Sequence, residues 1–210
     1  MVLTAASAAP FRAGFSHYRG TTLYNILIPT APKILDVERK VHTAEHLASA
    51  IFYLGAPKVP IPRSQLYAIP QSRPSYAVIH PVAATPEKTW TAQGFLKVAG
   101  HLKSEGLEPI FIAGPNEDLS PFARFRTITG APLSETKSLL QSATLFVGND
   151  SGPAHIGAAF GVPVIVLFGP SDATVWAPWQ TESRVIQAAD IKTITDRQVI
   201  EAISSLQVTK

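Results

Sequence analysis

The stretch that decides the fold is "FVGNDSGPAHIGAAFGVPVIVLFGP", Phe146 to Pro170. It starts in an apolar run, passes a polar cluster at Asp150 and Ser151, and continues into "GPAHIGAAFG", which reads as a helix closed by a glycine. "VPVIVLF" then follows as a strand that is apolar on both faces. A strand without a polar face needs cover on both sides, and a helix between two such strands implies a parallel β-α-β crossover. The stretch also raises a chemical question. A carboxylate, a hydroxyl and the imidazole of His155 lie within six residues of each other, and they could be catalytic or could grip an anion.

The same alternation runs outward from there. "YAVIH" is a short apolar strand, and "TAQGFLKVAGHLKSEG" a helix with Phe95, Val98, Ala99 and Leu102 inward, Thr91 as its cap and Gly106 as its stop. "EPIFIAG" is a strand, a short helix follows Asn116, and "FRTITG" is a weak strand. "SETKSLLQSA" is a helix with Ser134 as its expected cap, leading into the strand "TLFVG". "RVIQ" is a short strand, and "TDRQVIEAISSL" a last helix capped by Thr195. The prediction is a doubly wound α/β domain with a parallel sheet, from about residue 75 to 210.

Residues 1–74 read differently. In "HTAEHLASAIFYLG" the residues Ala44, Leu47, Ala48, Ile51 and Phe52 share a helical face, with Thr43 as the expected cap and Gly55 just past the end. "APKVPIPRSQLYAIPQSRPS" is rich in Pro and Ser and reads as a linker. The opening "MVLTAASAAPFRAG" has no basic n-region and no long apolar core, so it is not read as a signal peptide.

Composition narrows the function. Hydrophobic residues make up 46% of the 210, enough for a core, and the net charge of +3 comes without a Lys/Arg block, which argues against nucleic acid as a partner. No cysteine is present, which removes disulfides and Cys-based zinc sites and is compatible with the cytoplasm. The six histidines show no ligand spacing, so no metal is expected. The longest apolar run, Val162–Phe168, is too short to span a bilayer.

In doubly wound folds ligands bind beyond the carboxyl ends of the strands. After "YAVIH" come His80, Thr85 and then "PEKTW", where Lys88 is either a point charge for a phosphate or a solvated surface lysine, and Trp90 packs under the loop. After "EPIFIAG" come Asn116, Glu117 and Asp118. An acidic group there either accepts from a ribose hydroxyl or serves the first turn of the next helix. After "TLFVG", the residues Asp150, Ser151, Gly152 and Pro153 stand at a helix start, where backbone N–H groups and the macrodipole favour an anion. Gly152 permits close approach, Pro153 suits the first turn, and His155 lies within reach of the same ligand. The bland alternative is a simple cap with a surface histidine. Beyond "VPVIVLF", Trp176 and Trp179 either wall a pocket or pack.

"GNDSGP" is similar to the serine segment of chymotrypsin-like proteases, but those are all-β barrels. Nor is it G-x-S-x-G, because two residues separate Gly148 from Ser151. No Walker lysine and no G-x-G-x-x-G is present either. The anion grip is therefore the reading taken forward.

With these residues in view, the chain resembles glycosyltransferase family 9, the ADP-heptose:lipopolysaccharide heptosyltransferases. The resemblance runs through "LFVGNDSGPAHIGAAFGVPVIVLFGPSDATVWAP", "GPNED" and "PEKTW", and extends to "PFRAGF" and the 43–54 helix. It implies a GT-B-type fold of two Rossmann-like domains, with residues 75–210 as the nucleotide-sugar domain and residues 1–74 as a remnant of the acceptor-side domain plus linker. It implies inverting transfer of heptose from ADP-heptose, or a related nucleotide sugar, to the lipopolysaccharide inner core, in the cytoplasm at the inner membrane. By resemblance, Asp150, Ser151, Gly152, Pro153 and His155 meet the donor diphosphate and sugar, Thr85 and Lys88 the phosphate, and Asn116 or Glu117 the ribose, with Glu117 preferred. No cofactor is implied.

Two departures stand out. The loop before the lysine reads "VAATPEK", with only Thr85 for a hydroxyl. The strand and Gly-Asp loop with which family members begin, carrying the presumed catalytic base, do not occur in this sequence. Two other readings follow: a non-catalytic nucleotide-binding module, and a GT-B transferase with another sugar donor. The helix at 43–54 is expected to self-associate if its apolar face is left uncovered.

Overall fold

The computed structural model describes residues 2–72 and 74–206. Two compact units divide the chain, residues 1–61 and 62–210.

In the first unit, α1 (Val2–Ala6) precedes β1 (Ala13–Phe15), which pairs in parallel with β2 (Ile26–Ile28). The helices α2 (Ala31–Leu35) and α3 (Thr43–Tyr53) follow. Phe15, Ile28, Ala31 and Val41 are its buried apolar residues. Arg12 binds the unit's first loop together, its Nε donating to Leu23 O at 2.9 Å and its Nη1 to Ala9 O at 2.6 Å. The cap of α3 is His42 and not Thr43. His42 Nδ1 accepts from the Ala44 N–H at 3.0 Å, and Glu45 reaches back to the His42 N–H at 2.9 Å. Glu45 also accepts from both terminal nitrogens of Arg39, and its carboxyl is held down to about 2, mainly by that pairing.

The apolar face read on α3 is covered only in part, with Ala44, Ala48 and Phe52 half-buried. Leu47 is 62% exposed and Ile51 57%, while the residue that α3 buries is Ser49, which donates to its own helix at His46 O. The spacing correctly marks an apolar stripe but cannot say whether anything covers it.

The second unit is built on a six-stranded parallel sheet. Its strands are β3 (Tyr76–His80), β4 (Glu108–Ala113), β5 (Arg126–Thr129), β6 (Leu145–Asn149), β7 (Val164–Phe168) and β8 (Ser183–Gln187). They lie in the order β5-β4-β3-β6-β7-β8. From β3 the chain winds outward through β4 and β5, then returns to the other side of β3 for β6, β7 and β8. That is the doubly wound, Rossmann-like order, and its reversal between β3 and β6 opens a crevice.

The helices are α4 (Ala92–Ser104), α5 (Leu133–Gln141), α6 (Gly152–Phe160), α7 (Ala173–Trp176) and α8 (Asp196–Ser204). Side chains alternate across the sheet with period two. Ala77, Ile79, Phe111, Val147, Ile165 and Leu167 face a core closed by α4 and α8. Tyr76, Val78, Ile110, Phe146, Val164 and Val166 face the opposite core, closed by α5 and α6. The central strands are buried on both faces, which is why they read as unbroken apolar runs.

The helix ends follow local chemistry. Thr91 caps α4 through Gly94 N, and Thr195 caps α8 with Gln198 completing a capping box. Gly106 and Gly161 end α4 and α6 at φ 83° and 78°, a region glycine enters without strain. The cap of α5 is Pro132, two residues before the expected Ser134. Residues 62–72 form no helix or strand, yet they are fastened to α5. Lys137 Nζ donates to Tyr67 O at 3.2 Å, and Ser142 Oγ accepts from the Gln71 N–H at 2.7 Å. Among the described residues, no helix is long and apolar enough to cross a membrane.

Candidate functional site

A cavity of about 680 Å³ opens at the carboxyl ends of β3, β4 and β6, where the strand order reverses. That volume lies within the range typical of small-molecule sites. Of the residues picked out from the sequence, Lys88, Glu117, Asp150, Ser151, Gly152 and Pro153 line it. Thr85, Asn116 and His155 do not. Thr85 lies behind the lysine loop beside Trp90 in a shallower hollow, Asn116 is exposed, and His155 is half-buried on α6. Trp176 and Trp179 are also outside the cavity, and Trp90 is buried under the loop, with its indole N–H donating to Ile194 O at 2.8 Å.

The charged end is built from two loops. Lys88 Nζ stands 3.7 Å from Asp150 Oδ2. Lys88 ends a single turn, Pro86–Lys88, and Asp150 follows directly on β6. The fully buried Asn149 holds the two loops together. Its Oδ1 accepts from the Trp90 N–H at 3.0 Å, and its Nδ2 donates to Pro81 O at 3.0 Å. One amide thus grips both ends of the loop carrying Lys88. Gly169 permits the fit from the far side, because a Cβ there would stand 2.6 Å from Glu87 O.

Ser151 is the N-cap of α6, but its hydroxyl makes no capping bond. It lies instead 3.0 Å from His80 Nδ1. Burial lowers the His80 pKa, with the Glu117 charge opposing that shift, which favours the neutral imidazole. The close pairing of His80 with Gly148 explains that glycine. A Cβ at Gly148 would stand 2.9 Å from His80 O. No such reason exists at Gly152, where an added Cβ meets nothing within 4 Å.

Glu117 bends back over its own turn to accept from the Gly114 N–H, which fixes its carboxylate at the cavity wall. Farther along, Ile112, Ile128, Ala131 and Leu139 form an apolar wall, with Gln71 and Arg126 beside it. The cavity therefore has a charged end at a helix N-terminus, a carboxylate on its wall and an apolar slot. Such an arrangement suits a ligand that joins a diphosphate to a flat ring. Among the described residues no group of three metal-ligating side chains occurs.

Sequence reasoning missed the parts that tertiary pairing creates, namely His80 against Ser151, Asn149 as the double clamp, and Gln71 at the cavity. Asn149 left a trace, being the one polar side chain in the otherwise apolar "LFVGN".

The order of these elements matches a known family. The model of glycosyltransferase family 9 (heptosyltransferase) matches residues 2–202. The chain belongs to this family. Among curated relatives, lipopolysaccharide heptosyltransferase 3 of Escherichia coli K12 is 37% identical over 115 residues, half of this chain and 33% of the relative. The chain spans only part of the curated relatives it matches, 33% and 39% of the first two. Among solved structures, a family 9 glycosyl transferase from Veillonella parvula superposes with a TM-score of 0.80 at 22% identity, covering 97% of this chain and 69% of that one. An E. coli heptosyltransferase solved with ADP-2-deoxy-2-fluoro heptose gives 0.69 at 19% identity, covering 92% of this chain and 64% of that one. The fold class is thus that of the GT-B heptosyltransferases.

Proposed function

We propose that this family 9 chain holds the nucleotide-sugar donor of a heptosyl transfer to the lipopolysaccharide inner core, with ADP-heptose as that donor. The observation that carries the reading is the cavity at the strand-order reversal, with Lys88 and Asp150 facing each other beside the start of α6. Membership of the family and the likeness to an enzyme solved with an ADP-heptose analogue support it.

The donor diphosphate takes the charged end. Transfer with inversion forms a bond from the acceptor oxygen to the anomeric carbon and breaks the bond from that carbon to the phosphate oxygen. Negative charge grows on the departing ADP, and the Lys88 ammonium with the α6 N-terminus stabilises it where it develops. Asp150 holds Lys88 in place before the donor arrives and accepts from sugar hydroxyls afterwards. Glu117 accepts from the ribose. The acceptor proton needs a base, and none of these residues is given that role. Residues 75–210 form the donor side in this reading, the linker that ends at residue 74 adds Gln71 to its cavity, and the segment before the linker belongs to the acceptor side. The reaction takes place in the cytoplasm at the inner membrane.

Titration calorimetry with ADP and with ADP-heptose tests the donor site. Saturable heat is expected for both, and no heat at millimolar ligand would sink the reading.

A further inference from the structure

Gln71 is one of the polar side chains at the cavity, with Arg126, Glu135 and Thr136, to which the donor reading gives no work. Gln71 lines the cavity beside the apolar wall of Ile128 and Leu139. Its backbone N–H is fixed to Ser142 Oγ at 2.7 Å, at the end of α5, so the residue stays against the helix that supplies Leu139. Its carboxamide oxygen is buried and accepts no hydrogen bond from the described residues. A buried acceptor without a donor carries a desolvation penalty that a ligand donor removes. The last torsion of a glutamine is soft, so the oxygen can turn to meet such a donor.

The position decides which part of the ligand that is. Lys88, Asp150 and Ser151 occupy the diphosphate end, and Ile112, Ile128 and Leu139 the apolar end where a flat ring packs. A carboxamide offers an acceptor and a donor side by side, which matches the amino group and adjacent ring nitrogen of adenine. Resting on the donor-site reading above, we propose that Gln71 selects adenine, its oxygen accepting from the exocyclic amino group of the base.

The test compares ADP with purine riboside 5′-diphosphate, which lacks only that amino group, by calorimetry on the full chain. The wild type is expected to prefer ADP by roughly tenfold or more. Gln71→Leu should lose that preference by weakening ADP alone, with purine riboside diphosphate bound as before. Gln71→Glu, which keeps an acceptor oxygen, should retain the preference, and a thermal scan checks that both variants fold. A Leu variant that still prefers ADP, or a wild type that binds both ligands equally, overturns the role of Gln71 and leaves the donor site standing. A wild type that binds neither overturns the donor site and this inference together.

Discussion

Lys88 is a flexible lysine at the end of a single turn, and its ammonium has one carboxylate, Asp150, 3.7 Å away. A bound diphosphate competes with that carboxylate for the same charge. Charge-assisted hydrogen bonds contribute about 1.5–3 kcal/mol. Lys88→Ala is therefore expected to weaken ADP roughly tenfold to a hundredfold in calorimetry. Asp150→Ala should weaken ADP-heptose more than ADP, because removing an anion from the diphosphate end also removes a repulsion. Unchanged affinity in both variants would refute the grip. Gly152 provides a second residue-scale test. An added methyl meets no protein atom, so Gly152→Ala should stabilise the fold by about 0.4–1 kcal/mol through the unfolded chain. The same methyl stands at the N-terminus where the anion must approach, so ADP affinity should fall. A variant that gains stability and keeps full affinity would show that no ligand comes close there.

At the scale of elements, β6 and the loop after β3 are one working part because of Asn149. Its two hydrogen bonds tie Trp90 and Pro81 to the end of the strand that carries Asp150. Asn149→Ala leaves a buried N–H and a buried carbonyl without partners, at about 1–3 kcal/mol each. Denaturant unfolding should register that loss, and ADP binding should weaken although Asn149 itself need not touch the nucleotide. Stability preserved within 0.5 kcal/mol, on the order of a surface substitution, would mean that water takes over both bonds. This link was hard to read in the chain, since positions 81, 90 and 149 come together only when β3 and β6 pair. The elements themselves were legible, because apolar runs of five residues and capped helices are local patterns. The errors fell at helix starts. A histidine caps α3 through its own ring nitrogen and a proline enters α5 without a side-chain cap bond, where Thr43 and Ser134 fit the usual preference.

For the whole molecule, the two units differ in how much apolar surface they leave outside. The six-stranded sheet is covered on both faces. In the first unit, Leu47, Ile51 and Leu54 lie along one side of α3 at 62%, 57% and 49% exposure. The unit's sheet has only two strands, a size that is marginal by itself. Self-association through α3 is the expected result, read as a concentration-dependent mass in sedimentation or light scattering. Leu47→Glu with Ile51→Lys should shift the mass toward the monomer without changing ADP affinity. A wild type that stays monomeric at high concentration would count against it.

The order of strands and helices from Tyr76 onward, the parallel sheet, the glycine stops and the polar ends of β3, β4 and β6 were all present in the sequence, because periodicity and capping act over a few residues. Six of the nine residues named for the donor lie around one cavity for the same reason, since strand ends in a doubly wound sheet converge at the reversal of strand order. Only the tertiary structure decided which neighbours meet across that reversal. It put His80 against Ser151, closed Asn149 on two distant carbonyl and amide groups, and brought Gln71 to the apolar slot. It also left Leu47 and Ile51 in water. Those outcomes depend on pairing between segments far apart in the chain, and a pattern read along one segment holds no record of what lies opposite it.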